Sequence, residues 1–330
     1  MAVMDAIAID ALVLGCGVSG LSTAILLQQQ GRRVTIWAKD VPPHTTSNIA
    51  AAVWYPYRAF PVDRVLAWGA SSYQAFRELV GQPDTGVILA NVLDLQPGPH
   101  TADPWWAGSV DGFRHARPDE LPAGYGDGFV FDAPVIDTSI YLNYLRARFE
   151  AAGGVIVADR VVSDLAEAFA ACDLVVNCTG LGARELVGDT RLRPSRGQVV
   201  RVRHTGFRRV ILDDYGPNSL AYIVPRINDI ILGGTAIDDD ESTAIDAAET
   251  PAILRRCAGL SPEFAALTTD DVLEVKVGLR PVRDEVRLEV ESPAPGRWLL
   301  SNYGHGGAGV TLSWGCAAEV AERAGAIATP

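Results

Sequence analysis

The chain lacks any apolar segment long enough to cross a bilayer: its longest runs, such as 210–212 and 230–232, stop far short of the roughly 20 residues a spanning helix needs. Its five cysteines, at 16, 172, 178, 257 and 316, are odd in number and contain no C-x-x-C pair. The pattern predicts neither a disulfide framework nor a zinc site, and each cysteine is expected to be a small buried hydrophobe. Positive charge is also scarce, with 28 Lys and Arg against 40 Asp and Glu and a net charge of -12. That balance argues against nucleic acid or an anionic membrane as partner, since both need concentrated cations. The sequence opens without a basic and apolar leader, and 326–330 carries no peroxisomal tripeptide or prenylation box. A cytoplasmic home and a small-molecule partner are the expectation.

What is present suffices for two packed lobes. At 330 residues the chain exceeds the size at which one core usually keeps growing, and 48% of it is hydrophobic against 21% charged. An apolar run at 11–14 leads into Gly15-Cys16-Gly17-Val18-Ser19-Gly20; a helical stretch at 21–30 closes at Gly31, and a strand follows at 34–38. This is the order of the first βαβ unit of a dinucleotide-binding fold. The first glycine permits a tight turn, the second admits a pyrophosphate to the backbone, and the third lets helix and strand pack closely. The anion then rests on the helix N-terminus. The bland alternative is a glycine-rich turn that binds nothing. The acidic residue expected at the end of the second strand is displaced, because the strand runs out as Trp37-Ala38-Lys39-Asp40. Asp40 is the candidate for a ribose contact, and the motif alone does not choose between dinucleotides.

Residues 42–134 are rich in Pro, Gly and aromatics, with a clear helical pattern only near 64–80, and do not read as a continuing parallel sheet. Residues 136–153 read as a helix with Asp137 or Thr138 as N-cap. A buried strand at 174–177 ends in Cys178-Thr179-Gly180, a small-residue turn of the kind that returns to a cofactor. From 197 to 234 the pattern is β-rich, at 198–202, 210–212, 222–224 and 230–232, which predicts antiparallel strands of a second sheet. The run Asp238-Asp239-Asp240-Glu241 reads as a solvated loop and not as a metal site. Near the C-terminus, Asn302-Tyr303-Gly304-His305-Gly306-Gly307-Ala308-Gly309-Val310-Thr311 precedes a helix over 312–324. This second backbone cradle suits FAD better than NAD, because a flavin needs loops from several segments to enclose it. No repeat or low-complexity linker separates the lobes, so they are expected to interweave.

Five blocks together resemble the D-amino acid oxidase family of FAD-dependent enzymes, which also includes D-aspartate oxidase: 13–20, Thr45-Thr46-Ser47 through Tyr57, 176–180, Gly278-Leu279-Arg280-Pro281-Val282-Arg283, and 302–317. The likeness covers nearly the full length, and the last two blocks are specific to that family. It implies an α/β fold in which a Rossmann-like FAD-binding domain (1–60, 136–196 and 285–330) is interwoven with a mixed or antiparallel-sheet substrate-binding domain (61–135 and 197–284). It also implies oxidative deamination of D-amino acids. In that family an arginine at the position of Arg280 grips the substrate carboxylate through its guanidinium fork, a tyrosine at Tyr222 adds a hydroxyl contact, and the carbonyl at Gly307 accepts from the amine. The substrate Cα–H then faces flavin N5 for hydride transfer. The imino acid hydrolyses to a 2-oxo acid and ammonia, and dioxygen reoxidises the flavin to give hydrogen peroxide.

The resemblance further implies cofactor contacts at Gly15, Gly17, Val18, Ser19 and Gly20 for the pyrophosphate, and at Ala38, Lys39, Asp40 and Val161 around the adenosine. Thr179 and Gly180 fall in the phosphate region, with Thr45, Thr46, Ala52, Val53, Gly306, Gly307, Gly309, Val310 and Thr311 along the flavin. No metal is implied, and a homodimer is a candidate assembly. Taken alone, Arg280 also fits a buried ion pair with one of the many nearby carboxylates, such as Glu285, and Tyr222 also fits a core aromatic. His305 is expected to be positional, since hydride transfer from a neutral amine needs no strong base.

Three departures concern the substrate. Tyr55 replaces a polar amide of the animal enzymes, and Asn218 replaces a second active-site tyrosine, for which Tyr215 is the substitute after a loop shift. Ala236 stands where D-aspartate oxidases place an arginine. An acidic substrate is therefore disfavoured, and neutral or basic D-amino acids are expected. The alternatives are an amine oxidase acting on glycine, sarcosine or a pathway-specific amine, an NAD(P)-dependent dehydrogenase that leaves the C-terminal glycine loop unused, and a non-catalytic FAD-binding protein.

Overall fold

The computed structural model describes residues 9–100 and 102–327; the final tripeptide searched for a targeting signal lies outside the described residues. Ala11–Leu14 is apolar and buried at every position because it runs parallel between Val34–Trp37 and Leu174–Asn177, enclosed on both edges. The parallel set extends to Val155–Val157 on one side and Arg297–His305 on the other. From there the pairing becomes antiparallel through Val272–Ala294, Arg193–Arg203, Asp229–Gly233, Ala221–Pro225 and Val210–Asp213. A parallel pairing then adds Val87–Gln96, and Asp127–Ile136 and Asp111–His115 complete the order. The expected second sheet is thus the antiparallel half of one continuous mixed sheet.

Helices cover this sheet by close backbone approach. Val18–Gln29 packs on Gly309–Gly325, which packs in turn on Val62–Leu79. The second of these crossings needs Gly315, where any Cβ would overlap the Trp68 backbone; the Gly315 amide instead donates to Ser72 Oγ at 2.9 Å. On the antiparallel half, Glu249–Leu260 buries Ile253, Leu254, Cys257 and Leu260, one helical stripe, against Val200, Ile223 and Leu232. All five cysteines are free and buried, as expected.

Several boundaries move. The first helix begins at Val18, directly on the glycine turn, and not at residue 21. The helix expected over 136–153 spans Thr138–Ala151, because Ile136 is still paired in its strand and Asp137 turns the chain, accepting the Ser139 amide at 3.1 Å. The stretch 42–134 holds most of a ten-residue antiparallel pair, Val87–Gln96 with Asp127–Ile136. Alternation hid these strands because Asp94, Gln96 and Asp127 are buried within them. The acidic run 238–241 is largely exposed but not free: Asp238, Asp239, Asp240 and Glu241 face Arg58, Arg193, Arg196 and Arg184 at 3.8, 3.1, 3.8 and 2.6 Å.

Gly315→Ala is expected to destabilise the protein by about 1–3 kcal/mol through overpacking, read as a lower urea midpoint with an unchanged slope. An unaltered midpoint would show that the two helices can separate at no cost.

Candidate active site

The switch from parallel to antiparallel pairing creates a cavity of about 830 Å³ between the strand ends, lined by both glycine-rich loops and by Arg280 and Tyr222. At one part of its wall, Gly15 takes φ +104°, and a Cβ there would stand 2.5 Å from the Cys178 carbonyl oxygen, so the turns at 15–20 and 178–180 pack against each other. Gly20 is the one predicted contact that does not line the cavity; its missing Cβ makes room for the Gly15 carbonyl, the helix–strand packing expected of the third glycine. Gly17, Val18 and Ser19 line the wall at the start of a helix with no side-chain cap and no acid in its first turn, which leaves the positive end of the helix uncompensated. Ala38, Lys39, Asp40, Thr45, Thr46, Ala52, Val53, Val161, Thr179, Gly180, Gly306, Gly309, Val310 and Thr311 line the same cavity. Thr311 Oγ1 both accepts from the Tyr55 amide at 3.1 Å and donates to the Tyr55 carbonyl at 3.0 Å, fixing residue 55 to the last helix.

Ser47 carries no assigned role in the sequence reading, yet its hydroxyl accepts the Val18 amide at 3.0 Å, and a Cβ on Gly17 would lie 2.9 Å from it. The second glycine is therefore demanded by a protein contact as well as by any ligand. The Thr45-Thr46-Ser47 block hinted at this, but the contact spans 29 positions of sequence.

Arg280 sits in Val272–Ala294, opposite Ser195 of the neighbouring strand. Three glycines on adjacent strands clear its surroundings. A Cβ on Gly197 would come within 2.5 Å of Arg280 Nη1, one on Gly233 would overlap the Tyr222 ring, and one on Gly234 would lie 2.8 Å from the Tyr222 hydroxyl. One guanidinium N–H donates to the Thr235 carbonyl at 3.0 Å, and among the described residues no carboxylate lies within ion-pair distance. The ion pair with Glu285 is not formed: Glu285 is exposed. Arg283 is the paired arginine of the block, 3.0 Å from buried Asp189; three residues along a strand from Arg280, it faces the other way. Gly307 joins Arg280 here, since a Cβ on it would meet the Tyr57 ring at 2.6 Å and Arg280 Cδ at 3.7 Å.

Burial raises the phenols of this wall: Tyr57 is pushed up to about 12 and Tyr222 is also raised, so both are neutral donors. The same cause pushes His305 down to about 4; its Nε2 pairs with Asn302 Oδ1 at 3.0 Å. A buried neutral imidazole fits a positional role and not acid–base work. Tyr215 does not substitute for a missing tyrosine, because it is 66% exposed and lies outside the lining. Asn218 is used elsewhere, its Nδ2 donating to the Tyr125 hydroxyl at 3.1 Å. Among the described residues no cluster could hold a metal ion, and no helix is long and apolar enough to cross a membrane.

The family model of FAD dependent oxidoreductases matches residues 10–323, and the chain belongs to that family. It is 50% identical over 316 residues to a D-amino-acid oxidase of Rubrobacter xylanophilus, covering 96% of both chains. It is 35% identical to a human D-aspartate oxidase, again with 96% of each covered. Among solved structures, the glycine oxidase of Geobacillus kaustophilus superposes with a TM-score of 0.80 at 20% identity, covering 97% of this chain and 95% of that one, which shows a shared fold.

The cofactor of the family, FAD, fits what is present. The helix N-terminus at the first glycine turn carries no acid in its first turn and gives only its Val18 amide to Ser47, and Gly180, where a Cβ would meet no atom within 4 Å, leaves the wall open at the 178–180 turn.

Two outcomes test the site without turnover. Gly17→Ala should displace Ser47 and weaken FAD retention about tenfold, measured by flavin fluorescence on reconstituting apoprotein; an unchanged Kd would make the contact dispensable. For His305, the unfolded chain takes up a proton near 6.5 while the folded one resists until about 4. His305 therefore costs stability as pH falls through that window, and His305→Gln should flatten the fall in urea midpoint there. An equal slope in both proteins would contradict a neutral buried ring.

Proposed function

We propose that this chain is a cytoplasmic FAD-dependent D-amino-acid oxidase that converts D-amino acids to 2-oxo acids and ammonia, with dioxygen as electron acceptor and hydrogen peroxide as product. The observation that carries the reading is Arg280: a guanidinium with no carboxylate partner among the described residues, set in the same cavity as both glycine loops. A cation left unpaired in a half-buried wall is completed by an anion, and the fork geometry matches a carboxylate. We assign the FAD-binding part to 1–60, 136–196 and 285–330 and the substrate part to 61–135 and 197–284.

FAD, when bound, would accept the two electrons of the substrate Cα–H bond as hydride while the amine nitrogen closes the C=N bond, and would pass them to dioxygen. The protein's share is orientation. Arg280 holds the α-carboxylate, the neutral Tyr222 hydroxyl donates a second contact to it, and the Gly307 carbonyl accepts from the amine. These contacts fix two substituents of the tetrahedral carbon, the carboxylate and the amine; with the side chain placed in the cavity as the third, only one enantiomer presents its Cα–H toward the flavin side. His305, neutral and committed to Asn302, takes no proton in this scheme.

Anaerobic mixing with D- and L-amino acids, glycine and sarcosine, followed at the flavin band near ~450 nm, tests the reading. Bleaching by D-amino acids with reoxidation by air supports it, and bleaching by none of them removes it. Arg280→Ala should keep the bound flavin and lose at least ~100-fold in kcat/KM, because a buried charge contact is removed. Unchanged kinetics would take Arg280 out of the site.

A further inference from the structure

We propose that Asp214, backed by Asp94, selects substrates with a cationic side chain, so that the preferred D-amino acids are of the lysine or ornithine type. The proposal rests on the D-amino-acid reading and deepens it. Asp214 follows directly on Val210–Asp213 and lines the cavity, while Asp94 lies opposite Leu212 on the adjoining strand. Asp94 is 1% exposed; its Oδ2 accepts the Tyr55 hydroxyl at 3.1 Å and its Oδ1 is buried without a partner. Asp214 Oδ2 is likewise buried and unpartnered among the described residues.

Arg58 and Arg280 favour the charge of Asp214 from a distance, but neither forms an ion pair with it. Asp213 is occupied as the anchor of its own loop, taking the Tyr125 hydroxyl and the amides of Gly216 and Asn218. Arg58 is half exposed, with Asp238 as its ion-pair partner at 3.8 Å. Arg280 is engaged by the Thr235 carbonyl and, in the proposed reaction, by the α-carboxylate. Tyr55 and Tyr57 are neutral donors, and Tyr215 points out to solvent. Burial and the neighbouring Asp213 raise Asp214 to about 6, while burial and Asp214 hold Asp94 well above the usual carboxylate range, so Asp214 is the member of the pair that carries the charge. A substrate ammonium relieves both costs of charging Asp214 at once, whereas a neutral side chain leaves that carboxylate without a counter-ion and an acidic one adds a further like charge. Ala236 adds no cation to reverse this balance.

The test compares D-lysine with D-norleucine, the same carbon chain without the ammonium, at about pH 8, where the lysine side chain and Asp214 are both charged. The wild-type kcat/KM should favour D-lysine by at least ~10-fold. Asp214→Asn, nearly isosteric, should lower the lysine-to-norleucine ratio by at least ~10-fold, and Asp214→Glu should recover part of it. A wild-type enzyme that turns over D-norleucine as well as or better than D-lysine overturns this proposal and leaves D-amino-acid oxidation standing, as does a ratio unmoved in Asp214→Asn. Turnover of neither D-enantiomer overturns both.

Discussion

The strand Val272–Ala294 is the constraint on which the site depends. Its first half pairs with Arg193–Arg203 and its second half with Arg297–His305, both antiparallel, and Arg297–His305 pairs parallel with Leu174–Asn177 on its other edge, so one stretch of backbone joins the antiparallel half to the strand at which parallel pairing begins. Arg280 lies close to the point where the strand changes partners. The same strand that carries the proposed substrate anchor therefore borders the strand leading into the C-terminal glycine loop. A carboxylate held by Arg280 and a flavin held by that loop would be positioned by one rigid element and not by two lobes that must find each other. This is the geometry that orientation-driven catalysis needs, since misplacement by about 1 Å can cost 100-fold in rate.

Keeping a guanidinium available for a ligand is a demand on its surroundings. Gly197, Gly233 and Gly234 withhold Cβ atoms that would displace Arg280 or Tyr222, and Thr235 satisfies one guanidinium N–H with a neutral carbonyl. The chain has acids to spare, yet the nearby acidic run 238–241 is matched with four other arginines. Those pairs are largely exposed and worth little individually in stability. Their consequence is one of charge accounting: they occupy carboxylates that would otherwise be candidates to neutralise the cavity.

The sequence made the cofactor half legible and the substrate half much less so. Gly15, Gly17 and Gly20 could be read because a pyrophosphate turn imposes a fixed local spacing, and the C-terminal glycine loop because it stands directly before a helix. The roles proposed for Arg280, Tyr222 and Gly307 come only from the family resemblance, as no local pattern separates an unpaired arginine from a paired one; Arg283, three residues away, is a paired one. Ser47, Gly197 and Gly234 were illegible because their roles exist only across strands or loops distant in sequence. Asp94 was hidden for a related reason. A buried acid in a strand breaks the alternation by which strands are recognised, so the residue that stands behind Asp214 also concealed the strand that carries it.

That coincidence follows from the physics of burial. A residue that lines a polar cavity is placed where an apolar one would be more stable, so the local signals for fold and for function conflict at the site. Asp214, which lines the cavity, and Asp94 behind it are extreme cases, each with one buried oxygen that finds no donor. Tyr55 satisfies only one oxygen of that group, and its own position is fixed by Thr311 from the helix behind the proposed flavin site. The side-chain pocket and the flavin cradle are thereby joined through a single residue. Because Thr311 holds the backbone of residue 55 and only the phenol reaches Asp94, the helix fixes where the hydroxyl stands, while the side chain alone sets the charge environment it meets.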